Sequence, residues 1–230
     1  MKIGKYQLHI LNLGYFALDG GAMFGIIPKP LWQKNNPADE QNRIQLATRS
    51  LLLISDNRKI LIDTGMGNKW DVKNREIYKI QQDEFSIEKS LSRLNLLVDD
   101  ITDVFLTHLH FDHTGGSTTI ENNKLLPTFP NAKYYVQKNN YDWGICPSEK
   151  DKGSYIQNNF VPLYDYGVLN FLSNDEKYFD DELEIVICNG HTFGQQFLKI
   201  SDGLNTIFYS GDLFPTSSHI HLPYIMAYDV

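Results

Sequence analysis

Long apolar runs, basic blocks and paired cysteine spacings are all missing from this 230-residue chain, and each absence removes a class of function. Nothing approaches the roughly 18 consecutive apolar residues that a membrane-spanning helix needs. The opening Met1-Lys-Ile-Gly-Lys-Tyr-Gln7 has no apolar core of a secretory leader, so the expected location is cytoplasmic. The only cysteines, Cys146 and Cys188, lack Cys-x-x-Cys spacing and are too few for a disulfide framework, which suits a reducing compartment and reads as packing. A formal charge of −7 without clustered Lys or Arg argues against a nucleic-acid partner, whose phosphates draw on basic patches. With 42% hydrophobic and 21% charged residues and no linker-like tract, residues 1–230 read as one soluble domain.

Strand-like runs dominate the first half: Tyr6 to Tyr15, Leu46 to Ser55, and Arg58 to Asp63 before Thr64-Gly-Met-Gly67. The segment Asp19 to Trp32 carries too much Gly and Pro for a regular element, yet holds Met23, Phe24, Ile26, Ile27 and Trp32. It is expected to be a long apolar loop, either tucked into a core or serving as a lid. Phe85, Ile87, Leu91, Leu94 and Leu97 predict an amphipathic helix capped by Asp83 or Ser86. Ile101–Thr107, Ala132–Gln137, Leu183–Cys188 and Thr206–Ser210 read as further strands, with helical stretches between Lys138 and Leu172.

What the chain does have is a dense run of metal-type donors. Three of its seven histidines fall in Thr107-His108-Leu109-His110-Phe111-Asp112-His113. At this composition His-x-His-x-Asp-His arises by chance in roughly one such chain in two thousand, so a decorated loop is the weaker explanation. Two more donors stand just past apolar strands, His191 after Leu183–Cys188 and Asp212 after Thr206–Ser210. Alone, either would read as a surface residue or cap. Imidazoles suit zinc and its first-row neighbours, and a shared carboxylate lets two dications approach to about 3.5–4 Å. Such ions bring the pKa of bound water to about 7, so hydrolysis by a metal-bound hydroxide is the default chemistry. His9, in an alternating strand, reads as half-buried and structural.

Thr107 to Gly116 resembles the hallmark of the metallo-β-lactamase superfamily. Asp63-Thr-Gly65, Gly190-His-Thr-Phe-Gly194 and Gly211-Asp-Leu213 resemble its supporting motifs in the same order. The resemblance implies an α+β fold, a four-layer αββα sandwich with the site at one edge between two sheets. It assigns His108, His110 and His191 to a first cation, Asp112 and His113 to a second, and Asp212 as the bridge. Asp112 would also relay a proton, and Asp63 is the candidate acceptor for the outer ring nitrogen of a ligand histidine. The resembling enzymes take a further histidine beyond the bridging aspartate, where this chain has only eighteen residues. The chain is therefore expected to lack a C-terminal helix and strand, leaving the last ligand absent or replaced by His219 or His221.

Asp19 to Phe24 with the following Pro-Lys-Pro-Leu-Trp32, and Gly211 to His219, resemble the branch of quorum-quenching lactonases and organophosphate-cleaving relatives. That implies a small-molecule ester or lactone substrate, no nucleic-acid or membrane partner, and a pocket walled by Phe24, Trp32, His219 and Tyr224. Two divalent cations are expected, zinc foremost, with Mn, Fe, Co or Ni also suited to these donors. Competing readings are a glyoxalase II-like thioesterase, a mononuclear iron persulfide dioxygenase and a non-catalytic metal-binding fragment. An RNA-processing nuclease of the same fold would need a basic surface that is absent.

Overall fold

Period-two burial sets the longest strand. In Tyr6–Asp19, Tyr6 and Leu8 are buried on one face, and Leu11 and Leu13 on the other. This strand pairs antiparallel with Arg43–Ile54, and one extra residue intervenes between the Asn12–Arg49 and Tyr15–Ala47 pairs, at Gly14 with φ 119°. Such a bulge bends the strand. Beyond it, Phe16 packs with Met66, Ile80 and Phe111.

The computed structural model describes residues 1–229. Its strands are β1 (Lys2–Ile3), β2 (Tyr6–Asp19), β3 (Arg43–Ile54), β4 (Lys59–Ile62), β5 (Asp103–Phe105), the hairpin β6 (Thr118–Glu121) and β7 (Lys124–Pro127), β8 (Lys133–Gln137) and β9 (Leu169–Leu172). Then follow β10 (Tyr178–Asp180), β11 (Leu183–Cys188), β12 (Gln195–Ser201) and β13 (Thr206–Phe208). The large sheet runs β1-β2-β3-β4-β5-β8-β9, parallel from β4 to β9, and the small antiparallel sheet runs β10-β11-β12-β13.

Two cores hold these layers. Leu53, Ile60, Ile62 and Phe105 of the large sheet meet Leu183, Ile185, Leu198 and Ile200 of the small one. On the other face of the large sheet, Leu52, Leu61, Val104 and Val136 pack against Leu91, Tyr141 and Leu163, which come from three short helices. Alternation sends Val186, Cys188 and Lys199 to the outer face of the small sheet, where they stay partly exposed. The result is an α+β sandwich of one mixed and one antiparallel sheet. Among the described residues, no helix is long and apolar enough to cross a membrane.

Three expectations need correction. Asp19 to Trp32 is not irregular: it forms α1 (Gly20–Phe24) and α2 (Lys29–Trp32). Its Gly and Pro sit where short helices tolerate them, with Asp19 accepting from the Ala22 N–H, Gly25 ending α1 at φ 53°, and Pro30 in the first turn of α2. Met23, Phe24 and Trp32 are buried with Ile44 and Met226, so the segment is tucked into a core. After α3 (Val72–Ile77), the helix foreseen over 85–97 is α4, only Ile87–Ser92, capped by Ser86. Cys146 is exposed and Cys188 half-exposed, so neither is a core packing residue. The hairpin β6–β7 and strands β9, β10 and β12 had not been foreseen.

Leu198 is fully buried between the sheets. Truncating it to Ala is expected to destabilise the fold by about 2–5 kcal/mol. Urea unfolding checks this as a lower midpoint at unchanged slope.

Candidate metal centre

Parallel neighbours end on the same edge of a sheet, and here that edge gathers the donors. β4 ends at Asp63, and β5 runs into Thr107–His110 and then the single turn α5 (Phe111–Thr114), which carries Asp112 and His113. The β11–β12 loop supplies His191, and Asp212 follows β13. The loop after β4 and the turn after α5 lie backbone against backbone. A Cβ on Gly115 would sit 2.0 Å from the Met66 carbonyl oxygen, and one on Gly116 would sit 2.3 Å from that of Thr64. Gly115 and Gly116 are therefore required by contact.

Asp63 organises the inner side. Its backbone takes the left-handed φ of 58°, which Asp tolerates better than most residues. Its carboxylate accepts from the Thr107 N–H at 2.8 Å, Thr107 Oγ1 at 2.9 Å and His113 Nδ1 at 2.8 Å, and lies 3.3 Å from the Tyr209 hydroxyl, whose single proton it shares with the nearer Arg49 carbonyl at 2.8 Å. Because Thr107 donates its hydroxyl proton to Asp63, it accepts from His108 Nδ1–H at 3.0 Å. The tautomers follow from these acceptors. His108 and His113 donate outward through Nδ1, and their Nε2 atoms face the cluster.

The inward atoms are close together and of one kind. His191 Nε2 lies 3.0 Å from His110 Nδ1 and 3.3 Å from Asp212 Oδ2, while Asp212 Oδ1 lies 3.1 Å from His113 Nε2. Asp212 thus turns one oxygen to each of two groups, His108–His110–His191 and His108–His113–Asp212, whose ligand atoms all lie within 4.8 Å of one another. Asp112 stands a little apart, 3.5 Å from His113 Nε2. His108 Nε2 is buried with no hydrogen-bond partner. Lone pairs converging on one another repel unless a cation or proton lies between them, and an orphaned buried nitrogen costs free energy. This donor set fits divalent cations.

Burial, aided by the neighbouring imidazoles, holds His108 and His110 well below the usual histidine range, keeping their lone pairs free. For His113 burial works in the same direction, but Asp212, Asp112 and Asp63 outweigh it and raise its pKa. Burial would raise Asp212, yet His113 and His191 hold it well below the carboxylate range. Burial and the Asp63 carboxylate keep the Tyr209 phenol neutral.

Five of the six sequence-assigned donors fall in these two groups, with Asp112 beside His113 and Asp63 behind it. The four expected substrate contacts do not reach the cavity beside them. That cavity, about 490 Å³, is walled by Phe16, Leu18, Leu46, Tyr78, Met226 and Tyr228. Phe24 instead lies behind the wall, stacked on Trp32 at 5.1 Å and on His219 at 4.9 Å, with Tyr224 edge-on at 6.0 Å. Both His219 nitrogens are engaged, by Thr216 Oγ1 and the Met23 carbonyl, so it is free neither as a ligand nor as a substrate contact. Aromatic content marked this segment as apolar but could not say which side of the wall it occupied. Thr107, Tyr209, Tyr228 and Asp229, which hydrogen-bonds His191 Nδ1 at 2.9 Å, had been missed. Thr107 alone carried a signal, standing immediately before the histidine run.

A model of the metallo-beta-lactamase superfamily matches residues 44–229. The chain belongs to that superfamily. The N-acyl homoserine lactonase AttM of Rhizobium radiobacter is 32% identical over 104 residues, 44% of this chain and 36% of the lactonase. The matched stretch is thus about a third of that relative's length. A probable metal-dependent hydrolase from Staphylococcus aureus superposes with a TM-score of 0.89 at 35% identity, over 100% of this chain and 80% of that one. AidC, a dizinc quorum-quenching lactonase crystallised with a product, superposes at 0.72 with 26% identity, over 93% and 74%.

Behind the superfamily's glycines, the Lys69 ammonium donates to the carbonyls of Gly115 and Thr118, and burial lowers its pKa to about 8 from 10.5. Below about pH 8 the folded and unfolded chains both hold this proton. Between about 8 and 10.5 the unfolded chain holds more, so stability rises with pH across that window. Lys69→Met is expected to remove the rise, read as the difference between the two proteins in urea unfolding against pH.

Proposed function

We propose that this chain is a metal-dependent hydrolase that cleaves a small lactone or ester. The observation that carries the reading is Asp212, whose two oxygens face His113 and His191 at the floor of a cavity lined by Phe16, Leu18, Leu46 and Met226 together with Arg49 and Lys150. Kinship supports it, since four of the five matched curated relatives are named as lactonases and the fifth as a probable metallo-hydrolase, and AidC is named as dizinc. His108, His110 and His191 would hold one cation, and Asp112 and His113 a second, with Asp212 shared. Zinc is the first choice for this donor set, and Mn, Fe, Co and Ni are also accepted. Bound there, such ions supply Lewis acidity and acidify water toward neutral pH, which removes the need for a Ser or Cys nucleophile.

The chain's own residues supply the rest. Phe16, Leu18, Leu46 and Met226 offer an apolar wall to an acyl group and exclude water around it. Asp63 holds His113 by Nδ1, so that ring cannot turn during turnover. Asp112 opens on the same cavity and is the group to carry the proton from attacking water to the departing alkoxide. The carbonyl carbon gains the hydroxyl, the ester C–O bond breaks, and the proton ends on the leaving oxygen.

The purified protein should carry two cations per chain by elemental analysis and, loaded with zinc or cobalt, open an N-acyl homoserine lactone. Asp112→Asn should lower kcat/KM by about 10²–10⁴-fold while leaving the fold intact by circular dichroism. A metal-loaded protein that turns over neither lactones nor nitrophenyl esters contradicts the reading.

A further inference from the structure

We infer that Asp229 is a positioning residue that orients His191. His191 is buried, and its ring has a distinct partner at each end. Nδ1 lies 2.9 Å from Asp229 Oδ1, while Nε2 lies 3.0 Å from His110 Nδ1 and 3.3 Å from Asp212 Oδ2. An ionised carboxylate only accepts, so Nδ1 carries the proton and Nε2 presents its lone pair to the centre. Without Asp229 the ring could flip or exchange tautomers, because Asp212 would then be the only carboxylate among the described residues facing it and would draw a proton onto Nε2.

The segment bearing Asp229 is fastened independently of His191. The Ala227 N–H donates to the Ala22 carbonyl at 2.8 Å, Met226 is buried against Met23, Phe24 and Trp32, and the Lys150 ammonium caps the Asp229 carbonyl. Phe24, Trp32 and Tyr224 therefore serve the site at second hand, by holding the strap that carries Asp229. Asp229 does for His191 what Asp63 does for His113, from a segment far away in sequence. The strap also places Met226 and Tyr228 in the cavity wall, so the same backbone shapes the pocket and orients a donor.

The inference rests on the hydrolase reading only in taking His191 as a ligand, and its test has a part that needs no metal. In metal-free protein, nitrogen-15 spectra of the histidine rings should report His191 with its proton on Nδ1, and Asp229→Ala should shift it to Nε2 or to a mixture. Asp229→Asn, whose amide oxygen still accepts, should keep the wild-type tautomer. In chelator competition Asp229→Ala should bind one of two cations about 10–100-fold more weakly, with altered visible bands in the cobalt form and an unchanged metal-free melting temperature. An unmoved His191 tautomer in Asp229→Ala overturns the inference. So does wild-type affinity for both cations, or a metal-free melting temperature that falls with either substitution. A wild-type protein that binds no cation overturns the hydrolase reading instead, and the ring spectra still decide the role of Asp229.

Discussion

One carboxylate joins four pieces of this molecule. Asp63, turned into the left-handed region at the end of β4, accepts from the backbone and hydroxyl of Thr107 and from His113 in α5, and shares the Tyr209 hydroxyl after β13 with the Arg49 carbonyl. These bonds draw the end of β4, the Thr107–His113 run and the residue after β13 to one edge of the sandwich. Thr107, its hydroxyl proton committed to Asp63, must accept from His108, and that fixes the His108 tautomer. Hydrogen bonds to a charged acceptor are stronger than neutral ones, so the geometry is held before any cation arrives.

The consequence is a cluster of ring nitrogens and carboxylate oxygens crowded together at hydrogen-bond distance, with His108 Nε2 left unpartnered. The Nδ1 sides of His108, His113 and His191 are directed outward to Thr107, Asp63 and Asp229, and their Nε2 atoms inward. Folding places these atoms together because the flanking strands are locked by apolar burial on both faces of the large sheet, each fully buried Leu or Ile contributing about 1.5–3 kcal/mol. Sites of this kind sit on rigid scaffolds for that reason: packing offsets the cost of the unsatisfied centre. The glycine contact between Met66 and Gly115 belongs to the same scaffold, since any side chain there would drive the Asp63 loop from the histidine turn.

Much of the fold was legible locally. Apolar strand-like runs bounded by turn residues located β2, β3, β4, β8 and β11, and Ser86 capped α4 as its chemistry favours. Where local signals failed, the reason was tertiary. Gly and Pro made residues 19–32 look irregular, yet one-turn helices place those residues at their ends, where burial of Met23, Phe24 and Trp32 stabilises the turns. α4 stops at Ser92 rather than running on to Leu97, which is exposed and has no apolar surface to cover.

By itself the sequence determined which His and Asp residues gather, their order, and the placement of each run just past an apolar strand, because metal-type chemistry demands particular residue types and strands demand particular periods. Only the tertiary structure decided which ring nitrogen faces inward, that Asp212 turns an oxygen to each group, and that Asp229 reaches His191. It also decided that Phe24 and Trp32 stand behind the cavity wall and Met226 and Tyr228 in it. Orientation depends on which acceptor lies within hydrogen-bond reach. That distance is set by packing between segments remote in the chain, and no spacing along the sequence encodes it.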